Sequence, residues 1–281
     1  MRGKIVVITG ASSGIGAAAA RGLAARGATV VPVGRSIARS TAVARSIDTE
    51  PIIADFADLA DVRRLANAVL DRCPRIDVLI NNAGGLFTPR RITVDGHETT
   101  LQVNHLAPFL LTTLLRDRLV ESAETTPVRV INTASAANLI GRIRLDDLNW
   151  ERRIWGSFRA YAATKLMNIV FTRELARRWA GTNVNTASLH PGPVATNFAS
   201  GSWLPGLVYH TPLRSLLLIN SSQGAAPLVW LAGGGGVADQ VELDGGYYHR
   251  FRHNGSTHRQ AHDPELAAAF WESSAALVGT S

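Results

Sequence analysis

The chain has 281 residues, 46% hydrophobic and 18% charged, which suits one full core and excludes long disorder, collagen and coiled coil. Its 29 basic and 22 acidic residues give a formal charge of +7, but the arginines are scattered and form no nucleic-acid-binding block. No apolar run nears the roughly 20 residues of a membrane span, so neither nucleic acid nor an integral membrane segment is expected.

In chain order, Lys4–Thr9 predicts a buried strand. The four residues before Ile5 lead straight into it without a signal-peptide core, and Cys73 is the lone cysteine. The simplest compartment is therefore reducing cytoplasm, with no disulfide. The strand runs into Thr9-Gly10-Ala11-Ser12-Ser13-Gly14-Ile15-Gly16, and helical spacing follows over Ile15–Arg26. Glycines at this point let the backbone turn sharply and approach a pyrophosphate, whose charge a helix N-terminus stabilises. The bland alternative is a tight turn. A second strand is predicted over Thr29–Val33, but Pro32 would cost it a ladder hydrogen bond, so it should end early or bulge. After it, an NAD-preferring site would place an acid to hold the ribose hydroxyls. Here stands Gly34-Arg35-Ser36. With no carboxylate, Arg35 could meet a 2′-phosphate with a charge-assisted fork, which favours NADP(H) over NAD(H). Otherwise Arg35 is one more of 27 surface arginines.

Further strands are expected at Pro51–Ala54, Ile76–Ile80, Val128–Thr133 and Asn183–Leu189, and helices at Asp58–Arg72, His97–Val120 and Phe158–Ala180. This alternation predicts right-handed crossovers and an α/β fold: a Rossmann-type doubly wound parallel sheet of about seven strands, flanked by helices on both faces, in a single domain. Residues 197–222 mix Gly, Ser and Pro with Phe198, Trp203, Leu204 and Tyr209, and are read as a flap over an apolar substrate. Gln223–Ala232 reads as a helix. A C-terminal extension over 247–281 opens with a short strand at Tyr247–Tyr248 and closes with a helix at Pro264–Val278. His249, His253, His258 and His262 lie in its polar loop without a convincing ligand set, so no metal is expected.

The pair Tyr161…Lys165 falls on the Phe158–Ala180 helix, where an i,i+4 spacing puts phenol and ammonium on one face. A phenol that gives up a proton near neutral pH needs a lowered pKa, and a nearby cation lowers it. With four tyrosines and two lysines, the spacing arises in about 3% of shuffled chains. A solvated lysine beside a packing tyrosine is the weaker reading.

Taken together, Thr9–Gly16, Asn81-Asn82-Ala83-Gly84, Ser135, Tyr161, Lys165 and Pro191-Gly192 resemble the short-chain dehydrogenase/reductase family, in that family's order and across nearly the whole chain. Four further segments, Asn104-His105-Leu106 through Thr112, Asp147–Glu151, Phe171–Ala176 and His190-Pro191-Gly192, are similar to its retinol-dehydrogenase-like branch. The resemblance implies hydride transfer between nicotinamide and the carbonyl or alcohol of an apolar small molecule. Tyr161 would be the general acid and base, Lys165 would tune it and hold the nicotinamide ribose, and Ser135 would hold the substrate oxygen. Asn104 would fix a water linking Lys165 to solvent. The dinucleotide would lie on Gly10, Ser12, Ser13, Gly14, Ile15, Gly16, Arg35, Asp55, Phe56, Asn82, Ala83 and Gly84. Tyr161, Lys165, Pro191, Gly192, Val194 and Thr196 would meet its nicotinamide end. Where the family often shows two serines, Ala134 replaces the first. A homodimer or homotetramer pairing through the Tyr161 helix is also implied. An alternative of another class is a dinucleotide-binding sensor that keeps the fold without turnover, although a sensor needs no proton donor.

Overall fold

Alternate residues of the central strands face two different layers of helices. In the first strand, β1 (Ile5–Ile8), Val6 and Ile8 pack against Ala17, Ala20 and Leu23 of α1 (Gly14–Ala24). Val7 points the other way, into a second cluster holding Val62, Leu65 and Val69 of α3 (Leu59–Arg72). This period of two, in strands buried on both faces, is why they read as unbroken apolar runs. The computed structural model describes residues 1–192, 220–233 and 244–280.

The other strands are β2 (Thr29–Gly34), β3 (Ile52–Ile53), β4 (Val78–Asn81), β5 (Val128–Thr133), β6 (Val184–His190), β7 (Gly246–His249) and β8 (Arg252–His253). They form one sheet in the order β3-β2-β1-β4-β5-β6-β7-β8. Every pairing is parallel except that of β8 with β7. The strand order reverses between β1 and β4, and in such sheets the crevice for a ligand opens at the carboxyl ends on either side of that point. Residues 193–219 and 234–243, which include most of the expected flap, lie outside the described residues.

Pro32 does not end β2. Val33 O accepts from Ala11 N on the β1 side, whereas Gly34 O accepts from Ala54 N on the β3 side. Strand alternation therefore turns Pro32 towards β3, whose pairing begins only at Val33, so the missing donor breaks no ladder bond. The interval that follows holds a helix that the sequence reading did not contain, α2 (Ile37–Arg45), capped by Ser36.

The single helix expected over His97–Val120 is four pieces: α4 (Thr99–Leu101), a π turn (Gln102–Leu106), α5 (Ala107–Leu114) and α6 (Arg116–Ala123). Pro108 has no N–H to give the Asn104 carbonyl four residues back, so a regular α-helix cannot run through this point.

At the centre lies α7 (Ser157–Arg178), in which every residue from Ala160 to Thr172 is buried. One side packs on β5 and β6. The other meets α9 (Pro264–Val278), the helix after α8 (Ser221–Ala232). Trp271 of α9 stacks on Phe171 at 5.8 Å and meets Phe109 edge-on at 4.9 Å, and Phe270 stacks on His105 at 4.6 Å.

Candidate active site

The β1–α1 turn is built by its glycines. Gly10 and Gly14 have φ of +67° and +56°, which L side chains rarely adopt. A Cβ on Gly16 would sit 2.3 Å from the Gly10 carbonyl oxygen, so only glycine lets the helix start this close to the strand. Asn82 braces the turn by donating from Nδ2 to Thr9 O at 3.0 Å, and Thr9 Oγ1 accepts from Asn82 N and Ala83 N. Ser12, Ser13 and Ile15 line the rim. Ser13 is exposed at the N-cap of α1, makes no capping bond, and the first turn carries no acid. An uncommitted hydroxyl and the open N–H groups of an acid-free helix start fit a dinucleotide's phosphates.

Arg35 and Asp55 follow β2 and β3. Arg35 is two-thirds exposed, with Nη1 3.8 Å from Asp55 Oδ2. Asp55 also accepts from Ala57 N at 3.0 Å and does not cap α3; Asp58 does, through Ala60 N and Asp61 N. Phe56 sits in the core, which leaves only its backbone for a ligand.

Ser135, Tyr161 and Lys165 meet beyond the end of β5. Lys165 is 3% exposed, donates from Nζ to Thr133 O at 3.0 Å, and lies 5.5 Å from the centre of the Tyr161 ring. Burial pulls its ammonium down to about 8. Burial also pushes the Tyr161 phenol well above the usual tyrosine value, opposed by a hydrogen bond with the Ser135 hydroxyl and reinforced by Tyr247. The resting phenol is therefore protonated, the form that a general acid requires. The sequence reading had Lys165 lowering Tyr161. In the fold Lys165 stays predominantly charged at neutral pH and donates to the Thr133 carbonyl, and the Ser135 hydroxyl is a further group that opposes the rise of Tyr161. Gly84 joins this centre to the glycine turn, since a Cβ there would stand 3.6 Å from Lys165 Nζ.

Asn104 is fully buried in the π turn. Its Nδ2 donates to Gly85 O at 2.9 Å and Thr164 Oγ1 at 3.0 Å, and its Oδ1 accepts from Gly85 N at 2.9 Å. The side-chain amide is thus committed to Gly85 and Thr164. Pro191 and Gly192 (φ +103°) close β6 and are buried beside the same crevice. Val194 and Thr196 lie outside the described residues.

Four residues at this centre were absent from the expected set. Asn168, one turn beyond Lys165, donates to the same Thr133 carbonyl at 3.1 Å. Asn138 follows Ser135, and the Tyr247 hydroxyl lies 3.4 Å from Asn138 Nδ2. Burial pushes Tyr247 up to about 12. His190 is buried and held down to about 4 by burial and by its neighbours His249 and Lys165, so it stands neutral. The i+3 spacing of Asn168 from Lys165 was the one signal the sequence offered. The histidines of the extension separate: His249 faces His190, His253 stacks on Tyr248, and His262 bonds Thr257. Among the described residues no three His, Cys, Asp or Glu groups converge as metal ligands, and no helix is long and apolar enough to cross a membrane.

Comparison with known proteins follows the same lines. Residues 4–203 match the family described as short chain dehydrogenase. The chain is 44% identical to the candidate daunorubicin C-13 ketoreductase DnrU of Streptomyces sp. (strain C5), over 99% of this chain and 93% of that protein. It is 36% identical to human retinol dehydrogenase 13, over 99% and 85%. Among solved structures, an uncharacterized protein from Mycobacterium paratuberculosis superposes with a TM-score of 0.80 at 36% identity, covering 99% of this chain and 94% of that one. The Pseudomonas aeruginosa RhlG/NADP active-site complex superposes with a TM-score of 0.68 at 26% identity, covering 89% and 95%. Glycine turn, Tyr161–Lys165 face, strand order and relatives converge: the chain is an oxidoreductase of the short chain dehydrogenase family, in its retinol-dehydrogenase-like branch.

Proposed function

We propose that this protein is an NADP(H)-dependent reductase or dehydrogenase acting on the carbonyl, or the primary or secondary alcohol, of an apolar small molecule, with Tyr161 as general acid and base. The observation that carries the reading is the meeting of a buried protonated phenol, a hydroxyl and a buried ammonium at the carboxyl ends of the sheet. When bound, nicotinamide supplies or accepts the hydride. Ser135 holds the substrate oxygen against the Tyr161 hydroxyl, which gives its proton to that oxygen in reduction and takes it back in oxidation. Lys165 supplies positive charge beside the phenolate that forms, and the Thr133 carbonyl aims it there. Arg35, exposed where an NAD site would hold an acid, supports the 2′-phosphate, as does likeness to a structure solved with NADP. The retinol in one relative's name is largely apolar, and the ketoreductase in another's names a carbonyl substrate, which supports this reading. The lone and buried Cys73 supports a reducing cytoplasm.

Replacing Tyr161 with Phe removes one oxygen from a fully packed site. Turnover with NADPH across a panel of ketones and aldehydes should fall by about 100- to 10,000-fold. NADPH binding, followed by fluorescence, should persist. Full turnover by an intact Tyr161→Phe enzyme refutes the assignment.

A further inference from the structure

The segment after β5 carries Ser135 and runs to Ile143, and the C-terminal extension holds it at two points. The inner point is Asn138, which has no exposed surface. Its Nδ2 donates to Ser135 O at 2.9 Å, and its own N–H donates to the same oxygen at 3.0 Å. From the extension, His258 N donates to Asn138 Oδ1 at 3.1 Å, and the Tyr247 hydroxyl stands 3.4 Å from Nδ2. The outer point is a two-way clasp between the Gln260 side chain and the Ile143 backbone. Ile143 N donates to Gln260 Oε1 and Gln260 Nε2 donates to Ile143 O, each at 3.0 Å.

Tyr247 is itself held in place. It is 3% exposed, its carbonyl accepts from Gly255 N at 3.1 Å, and a Cβ on Gly255 would stand 2.8 Å from its ring. Every polar group of the Asn138 side chain is thus spent either on the Ser135 backbone or on the extension, across sequence separations of 109 and 120 residues. A buried amide with this wiring fixes the spacing between the two segments it joins.

We propose that Asn138 is a positioning residue for Ser135, and that through it the C-terminal extension sets where the Ser135 hydroxyl stands relative to Tyr161. This rests on the function proposed above for Ser135. Asn138 is bound to Ser135 through the Ser135 carbonyl and to the extension through His258 and Tyr247.

The test is a cycle of Asn138→Ala, Ser135→Ala and the double variant, with NADPH and the best substrate of the panel. Asn138→Ala should lower kcat by about 10- to 100-fold, the scale of a misplacement near 1 Å, and leave the Kd for NADPH unchanged. In the Ser135→Ala background it should cause no further loss. Hydrogen exchange at residues 135–143 should quicken in Asn138→Ala. Equal losses in both backgrounds, an unchanged kcat, or NADPH binding that falls in parallel would overturn the proposal. Should Asn138→Ala fail to fold, Tyr247→Phe, which deletes one hydroxyl, should move kcat and exchange in the same direction by less. Unaltered exchange in both variants sinks the proposal whatever the turnover. Absence of turnover in the unmodified enzyme would count against the proposed function instead, because exchange reads the grip without catalysis.

Discussion

Lys165→Met should make the protein more stable and inactive. At neutral pH the unfolded chain carries its lysine charged at no cost, whereas the folded chain holds the ammonium at 3% exposure. The distance between 10.5 and the value of about 8 reached on burial corresponds to about 3 kcal/mol against folding below pH 8. Methionine fills much the same volume without charge. The Thr133 carbonyl keeps a donor in Asn168, so the substitution strands no buried acceptor. A net gain of about 1–3 kcal/mol is expected, which for a chain of this length is about 2–5 °C in Tm. The pH dependence carries the sign. As pH rises through about 8 the folded chain releases the Lys165 proton, while the unfolded chain keeps its own until 10.5. Unmodified protein should therefore gain stability across that window, and the variant should not. Calorimetry of the cofactor-free protein at pH 7 and pH 10.5 measures both effects, and NADPH turnover should be lost. A variant no more stable at pH 7, or one with an equal advantage at both pH values, would refute the burial argument.

Two other substitutions test the cofactor side. Gly16→Ala drives a methyl against the Gly10 carbonyl and Asn82 Nδ2, neither of which can retreat, so it should cost about 1–3 kcal/mol in denaturant unfolding and weaken NADPH binding. Arg35→Ser should raise the KM for NADPH about 10- to 100-fold and leave that for NADH unchanged, since a charge-assisted bond to phosphate is worth about 1.5–3 kcal/mol; an equal shift for both cofactors counts against the 2′-phosphate assignment.

Local chemistry was readable from the chain; long-range commitments were not. The glycine turn announces itself because strand, glycines and helix are contiguous, and Tyr161 and Lys165 share a helix face by spacing alone. Helix α2 escaped because its buried residues are only Ser40, Val43 and Ala44, too few and too small for a clear apolar stripe. The break at Pro108 was present in the sequence, but the strong apolar spacing around it argued for continuity. Asn138 and Tyr247 gave no sign, because an asparagine in a short turn is ordinary until a residue more than 100 positions away completes its bonds. Asn104 was assigned from the family resemblance, yet its amide is bound to Gly85 in both directions, which only the fold reveals.

The cover that α9 lays over α7 also bears on assembly. Family resemblance suggested that two copies pair through the helix bearing Tyr161. In this chain the outer side of that helix is already shut by Phe270 and Trp271, with the Arg178 guanidinium 4.6 Å over the Trp271 ring and paired with Glu272. A second copy docking on this face would meet α9, and reaching α7 itself would expose the aromatic side of α9 to water.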